Sequence, residues 1–211
     1  MLDLVVGRPA LLVIDMQRGF IDSDAGSYVI EAESLVSRVA RTIDAARAAD
    51  MPVLFSREVH RVSGIDGGRL LWDGRGGWVS GHARYGSGAD SPDRACVEGT
   101  PEAELLPDIV PAPGEPVFEK RRFSCFIGTE LELLLGRLGI ETLFIAGICT
   151  DVCVLWTVGD AFQRDYHVRV LEDCVAGTTF EAHERALTIM RDLTTAGEAV
   201  RSDALATVLT S

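Results

Sequence analysis

Short apolar runs alternate with amphipathic segments along most of this chain. The run at 11–14 ends at Asp15, apolar residues recur at helical spacing between 30 and 50, and a second apolar run follows at 52–55. Such runs indicate buried strands, and the helical spacing between them indicates covering helices. The alternation is typical of a parallel sheet with helices on both faces. We therefore predict an α/β fold, a three-layer α/β/α sandwich with a mostly parallel open sheet, as one domain over residues 1–211.

The second half of the chain continues this alternation. Its pattern predicts a helix over 129–139 with a glycine stop, a strand through Ile145, a helix over 152–164, a strand over 167–171, a helix over 180–193 and a short edge strand at 198–200. Residues 59–115 differ, because Gly, Pro, Ser and Asp cluster there and little periodicity is sustained. A loop this long in a compact domain is usually functional, so we predict a lid, a pocket wall or a subunit contact.

The run at 143–154 breaks at Gly147 and brings two cysteines to the start of a helical pattern. Thr150 is the predicted N-cap, and Cys153 lies in the first turn after it. Unpaired backbone N–H groups and the positive end of a helix favour a thiolate over a thiol. Cys153 is therefore the candidate nucleophile. The alternatives for the pair of Cys149 and Cys153 are a disulfide, a metal clip or buried structural thiols.

Two other apolar runs end in charged residues. The first ends at Asp15, and a shorter one beginning at Pro116 ends at Lys120. Because the carboxyl ends of parallel strands share one edge of a sheet, both side chains can meet Cys153 there. An acid, an amine and a thiol together suggest acyl transfer. Taken singly, Asp15 also suits a turn, and Lys120 with the arginines beside it also suits a solvated edge.

These motifs resemble those of the isochorismatase-like cysteine hydrolases, a superfamily that includes nicotinamidases, N-carbamoylsarcosine amidases, and ureidoacrylate and biuret hydrolases. The segments that carry the resemblance are 12–17, Lys120 with 126–131, 147–154, 160–161 and Asp173. The resemblance implies that Asp15 is the general base, Lys120 an electrostatic partner and Cys153 the nucleophile. It also assigns the oxyanion hole to the backbone N–H groups of Cys149 and Cys153, and implies a cis peptide bond between Ile148 and Cys149.

The resemblance further implies a reaction. Segments 99–102 and 173–178 look most like the amidohydrolase branch, so we expect cleavage of the C–N bond of a small amide, carbamoyl or ureido substrate through a thioester. Aromatic and polar residues placed to reach the strand ends are the predicted substrate-binding set. They are Gln17, Phe20, Arg57, His60, Trp72, Phe123 and Trp156. For the tryptophans, including Trp78, core or interface packing is the alternative.

We predict no metal and no other cofactor. In nicotinamidases of this superfamily, an Asp-x-His pair after the second strand, together with further histidines, is associated with metal binding. Glu58 and His60 occupy a comparable place in this chain. The remaining histidines, His82, His167 and His183, are scattered along the chain, so a full ligand set is missing. Glu58 and His60 are interpreted as polar groups of the pocket.

The net charge limits the classes of binding partner that we expect, and the cysteine content indicates the cellular compartment. The formal net charge is -12, which opposes general binding to nucleic acid or to anionic membranes. An odd count of 5 cysteines, with no signal-like N-terminus, disfavours a secreted disulfide framework and favours the cytoplasm. No apolar stretch is long enough to span a bilayer. We expect a small-molecule substrate and, from the resemblance, assembly as a homo-oligomer, either a dimer or a tetramer.

Three other functions compete with the amidohydrolase hypothesis. Isochorismatase proper hydrolyses a vinyl ether and usually lacks the nucleophilic cysteine, so Cys153 counts against it. A non-catalytic binding member of the superfamily would have no need for Asp15, Lys120 and Cys153 together. A thiol redox protein rests only on the cysteine pair and leaves the aspartate and the lysine without a role.

Overall fold

Five parallel strands form one sheet in the computed structural model, which describes residues 4–21, 29–66, 96–195, 197–203 and 205. The strands are β1 (Arg8–Ile14), β2 (Val53–Glu58), β3 (Val117–Lys120), β4 (Ile140–Ile148) and β5 (His167–Ala176), in the spatial order β3-β2-β1-β4-β5. Every pairing between neighbours is parallel. All five carboxyl ends therefore lie along one edge of the sheet.

Helices cover both faces of this sheet. They are α1 (Arg18–Ile21), α2 (Ala32–Ala48), α3 (Leu131–Leu138), α4 (Leu155–Phe162) and α5 (Phe180–Thr194), with a 3₁₀ turn at Pro101–Ala103 and a π-helical turn at Thr150–Val154. Side chains of β1 alternate between the two layers, because successive strand residues point to opposite faces. Leu11 and Val13 pack in the core that α2 covers, whereas Leu12 and Ile14 pack in the core shared with α3, α4 and α5. The predicted three-layer α/β/α architecture is confirmed.

Local sequence signals explain where several elements begin and end. Helix α3 stops at Gly139, whose left-handed φ of 66° lets its N–H reach back to the last turn, as the glycine predicted. Helix α5 begins after Thr179, whose hydroxyl accepts the N–H of Ala182. The edge strand predicted at 198–200 is a single parallel bridge between Leu171 and Val200.

The start of the helix after β4 differs from the prediction. Cys149, not Thr150, is the N-cap residue, and no side chain caps this end. Thr150 is instead the first residue of the π-helical turn, and its hydroxyl lies 2.9 Å from Nδ1 of His183 on α5. Strand β5 is also longer than predicted, because it continues from Leu171 to Ala176.

The long segment 59–115 is described at 59–66 and 96–115. Its ends return to the carboxyl edge of the sheet, where His60 forms a parallel bridge with Val97 and Gln17 an antiparallel bridge with Leu105. Its role as a lid or a subunit contact stays a prediction. Trp72, Trp78 and His82 lie outside the described residues. Within the described ranges, no helix combines the length and the apolar character that crossing a bilayer requires.

Candidate active site

The carboxyl edge of the sheet brings the three predicted catalytic side chains together. Asp15 directly follows β1, Lys120 is the last residue of β3, and Cys153 lies in the π-helical turn after β4. Glu58, the last residue of β2, joins them. All four residues are buried.

Lys120 is the centre of this cluster. Its Nζ lies 2.7 Å from Oδ2 of Asp15, 2.7 Å from Oε2 of Glu58 and 3.3 Å from Sγ of Cys153. Nζ also donates to the carbonyl of Arg122 at 3.1 Å. Burial lowers the pKa of a lysine, but here the carboxylates of Asp15 and Glu58, together with the sulfur of Cys153 in its anionic form, outweigh that effect and raise the pKa of Lys120 well above its ordinary value. The ammonium is therefore charged at neutral pH.

Asp15 is held by its neighbours on β2 and β3. Its backbone is left-handed, with φ 51°, and its Oδ1 accepts the hydroxyl of Ser56 at 2.7 Å while Oδ2 faces Lys120. Burial raises the pKa of the Asp15 carboxyl above its ordinary value; Lys120 opposes the rise and the Glu58 carboxylate adds to it. An acid with a raised pKa is suited to accept and return a proton.

Glu58 is the member of the cluster that the sequence did not assign to catalysis. Its Oε2 contacts Lys120 and lies 3.6 Å from Sγ of Cys153, and its Oε1 lies 3.1 Å from Nε2 of His60. Burial alone raises the pKa of Glu58, but Lys120 and His60 outweigh it and hold the pKa below its ordinary value. Its place at a strand end, like that of Asp15 and Lys120, was the available signal.

Burial disfavours the thiolate form of Cys153. Burial raises its pKa well above the ordinary value; Lys120 opposes this, and the Asp15 and Glu58 carboxylates add to it. This direction opposes the effect of the helix start, which was expected from the sequence to favour a thiolate. A thiol of this kind becomes a nucleophile only after a base removes its proton.

The turn that carries Cys153 is fixed from both sides. The Ile148–Cys149 peptide bond is cis, as the resemblance implied. The Cys149 carbonyl accepts the N–H groups of Val152 and Val154, at 3.0 and 3.1 Å. The Asp151 carboxylate accepts both the N–H and the hydroxyl of Thr178, at 2.9 and 2.7 Å. These contacts set the direction of the backbone N–H groups next to the thiol.

Comparison with known proteins agrees with this geometry. Residues 9–203 match the family model described as Isochorismatase domain. The chain belongs to the isochorismatase family. It is 34% identical over 172 residues to ureidoacrylate amidohydrolase RutB of Variovorax paradoxus, covering 78% of this chain and 67% of that one. It is 32% identical over 181 residues to Nicotinamidase 3 of Arabidopsis thaliana, covering 84% of this chain and 78% of that one.

A solved structure of the same family has the same fold. The isochorismatase family protein from Desulfovibrio vulgaris subsp. vulgaris str. Hildenborough superposes with a TM-score of 0.80 at 33% identity, covering 98% of this chain and 100% of that chain. The predicted family and fold class are confirmed.

The predicted substrate-binding residues of this isochorismatase-family chain occupy different places. Gln17 is fully buried and binds backbone groups, and Phe20 packs in the core beneath α2. Phe123 is half-buried against the opposite core, and Trp156 on α4 is 55% exposed. Trp72 lies outside the described residues.

Arg57 is not brought to the cluster. Because side chains alternate along β2, Arg57 points away from the face that carries Ser56 and Glu58. Its guanidinium pairs with Glu104 at 2.9 Å and with Glu119 at 3.1 Å. Its role as a substrate anchor stays a prediction.

The ligand-capable atoms of Asp15, Glu58 and Cys153 lie within 4.8 Å of one another, so a metal ion has to be considered. The Lys120 ammonium already contacts all three side chains and supplies the positive charge that a metal would bring. The His60 imidazole, for its part, is directed at Glu58. The residues of this cluster therefore fit a lysine-centred site and not a metal centre.

Proposed function

We propose that this protein is a cysteine-dependent hydrolase that cleaves the C–N bond of a small amide, carbamoyl or ureido substrate through a thioester intermediate. The observation that carries the proposal is the contact of the Lys120 ammonium with both Asp15 and Cys153 in a buried cluster. The relatives named ureidoacrylate amidohydrolase and nicotinamidase favour this class of reaction.

In the first half of the reaction, Asp15 takes the Sγ proton as the substrate binds. Sγ of Cys153 then attacks the carbonyl carbon and forms a C–S bond. When the tetrahedral intermediate collapses, the C–N bond breaks and the nitrogen receives the proton from Asp15. The products of this half are a thioester on Cys153 and a free amine or ammonia.

Negative charge develops on the carbonyl oxygen during the attack. We assign its stabilisation to the backbone N–H groups of Cys149 and Cys153, since the fixed turn holds both next to the thiol. Donors of this kind are typically worth about 10²- to 10³-fold in rate. Lys120 acts electrostatically, because it favours the charged forms of Asp15 and of the attacking sulfur.

In the second half, Asp15 takes a proton from a water molecule that attacks the thioester carbonyl. The C–S bond breaks, and the proton held by Asp15 returns to the departing sulfur. The products are the acid and the Cys153 thiol, so the site is restored. No oxidant, reductant or metal is needed to balance either half.

Each competing function would leave at least one of Asp15, Lys120 and Cys153 without a role. Hydrolysis of a vinyl ether needs no thiol, and a binding module needs no buried acid beside an ammonium. A redox role needs a resolving partner, yet all five cysteines are free thiols and buried. The contact of Cys153 with Lys120 and Glu58 favours the hydrolase over each of them.

Ammonia release from a panel of ureido compounds and small carboxamides tests the proposal. We expect turnover by the wild type and loss of turnover in Cys153→Ala, whose fold is checked by circular dichroism. Cys174→Ala is the matched control, because Cys174 is buried in the other core, beside Thr42. Hydrolysis of a vinyl ether, together with inactivity on every member of the panel, would contradict the proposal.

A further inference from the structure

We propose that Glu58 is a second catalytic carboxylate, which binds the Lys120 ammonium and receives the Cys153 thiol hydrogen bond while Asp15 alone carries the proton. This inference rests on the proposed hydrolase function. It separates the tasks of two carboxylates that stand on either side of one ammonium.

The contacts of the thiol differ between the two carboxylates. Sγ of Cys153 lies 3.6 Å from Oε2 of Glu58, within hydrogen-bond range for sulfur. In the described part of the chain, no hydrogen bond joins Sγ to Asp15, whose Oδ1 is taken by Ser56 and whose Oδ2 faces Lys120. Glu58 is therefore the carboxylate that orients the thiol before the reaction.

Both the side chain and the backbone of Glu58 are held by hydrogen bonds and ionic contacts. Its Oε1 contacts Nε2 of His60 at 3.1 Å, so both carboxylate oxygens are bound. Its backbone N–H donates to Oε1 of Gln17 at 2.7 Å, and its carbonyl accepts Nε2 of Gln17 at 2.9 Å. Gln17 is thus a positioning residue, which fixes the strand end that carries Glu58.

The pKa values of the two carboxyl groups are also shifted in opposite directions: that of Asp15 is raised and that of Glu58 is lowered. Burial acts on both, but only Glu58 has His60 behind it in addition to Lys120, and its charge in turn raises the pKa of Asp15. Pairs of acids whose environments separate their pKa values identify the proton carrier, which is here Asp15. The titratable groups facing the pair from the surrounding elements are His60, Cys96, Lys120, Cys125, Cys149 and Cys153.

The charge of Glu58 therefore influences the pKa values of both Asp15 and Cys153. With Glu58 neutral, the full field of the ammonium acts on Asp15 and lowers its pKa, which makes it a weaker base. The same loss removes one negative charge beside Cys153 and lowers the pKa of its thiol. A neutral Glu58 thus gives a more reactive thiol in a slower enzyme.

Glu58→Gln tests this inference, because the amide keeps the size of the side chain and removes the charge. We expect kcat to fall about 10²-fold with little change in KM. The acidic limb of the kcat/KM profile moves to lower pH. Alkylation of Cys153 by iodoacetamide at pH 7, followed by mass spectrometry, becomes faster than in the wild type. Glu104→Gln, at an exposed carboxylate paired with Arg57, is the control and leaves all three readouts unchanged.

The possible results distinguish a failure of the inference about Glu58 from a failure of the proposed hydrolase function. Wild-type kcat in Glu58→Gln would overturn the inference, as would a lower kcat with an unmoved pH limb and unchanged alkylation. If the Gln variant does not fold, Glu58→Asp keeps the charge and withdraws the oxygens, so kcat falls while the limb stays in place; wild-type kcat there overturns the inference. If the wild type hydrolyses no member of the panel, the function fails, but alkylation still tests Glu58.

Discussion

The Nζ atom of Lys120 lies 3.3 Å from the Sγ atom of Cys153, with both side chains buried. The two residues reach this contact from different strand ends, one from β3 and the other from the turn after β4. An ammonium beside a thiol stabilises the sulfur anion only when that anion forms. The contact therefore ties the fold of the sheet edge to the chemistry proposed for the site.

Replacing Lys120 removes the only positive charge that contacts both carboxylates among the described residues. Lys120→Met leaves Asp15 and Glu58 buried without their cation, which typically costs about 3–5 kcal/mol of stability. We expect a lower urea midpoint and no ammonia release. Arg41→Gln, at an exposed cation of α2, is the control and changes neither measurement. Wild-type stability in Lys120→Met would contradict the ion-pair geometry.

The pH dependence of turnover follows from Asp15. The reaction needs the ionised carboxylate, and burial raises the pKa of Asp15 above the ordinary 3.8. As the pH falls through the raised pKa, Asp15 becomes protonated and kcat/KM declines, so the acidic limb lies above pH 3.8. Asp15→Asn removes the proton acceptor and with it the turnover. A wild-type limb at or below the ordinary value is the result that this account does not allow.

Gly147 allows β4 to approach β1 beside Asp15. It has φ 115°, it pairs with Ile14, and a Cβ built there lies 2.1 Å from the Ile14 carbonyl oxygen. Gly147→Ala should therefore destabilise the protein by about 3 kcal/mol and displace Asp15, which follows Ile14. Gly159→Ala is the control, because that helical glycine faces open space and alanine there should stabilise by about 0.5–1 kcal/mol. Thermal unfolding of both variants measures the contrast, and equal effects would contradict it.

Gln17 and Arg57 should behave in opposite ways, although the sequence suggested substrate binding for both. Gln17→Ala leaves three backbone groups without their partner, those of Glu58 and the Ala103 carbonyl, at a cost of about 1–3 kcal/mol. It should also lower kcat, since Glu58 is then less firmly held. Arg57→Ala removes two partly exposed ion pairs, with Glu104 and Glu119, and should leave kcat and KM within about twofold, with about 1 kcal/mol or less in stability. A large rise of KM in Arg57→Ala would restore it as a substrate anchor.

The sequence was sufficient for the fold class and for the convergence of Asp15, Lys120 and Cys153. Each follows or ends an apolar run, and in a parallel sheet the ends of such runs meet at one edge. Their approximate position is therefore visible without coordinates. The contact distances depend on the order β3-β2-β1-β4-β5, which the pattern alone does not determine.

The faces of β2 could not be predicted in this way. The strand is buried on both sides, so its residues 53–58 show no alternation of polar and apolar types that would assign a face. For that reason the sequence alone does not show that Glu58, and not Arg57, faces Asp15 and Lys120. The π-helical turn at Thr150–Val154 was also not predicted, because Thr150 suits both an N-cap and the first position of a turn.

In the proposed mechanism, the Cys153 sulfur carries the acyl group during turnover. Rapid acid quench of the enzyme with a substrate that releases ammonia, followed by peptide mass spectrometry, measures this directly. We expect the mass of the acyl fragment on the peptide that contains Cys153, formed at least as fast as turnover and absent in Cys153→Ala. Ammonia release without any acyl mass at Cys153, or turnover by the alanine variant, would contradict the proposed mechanism.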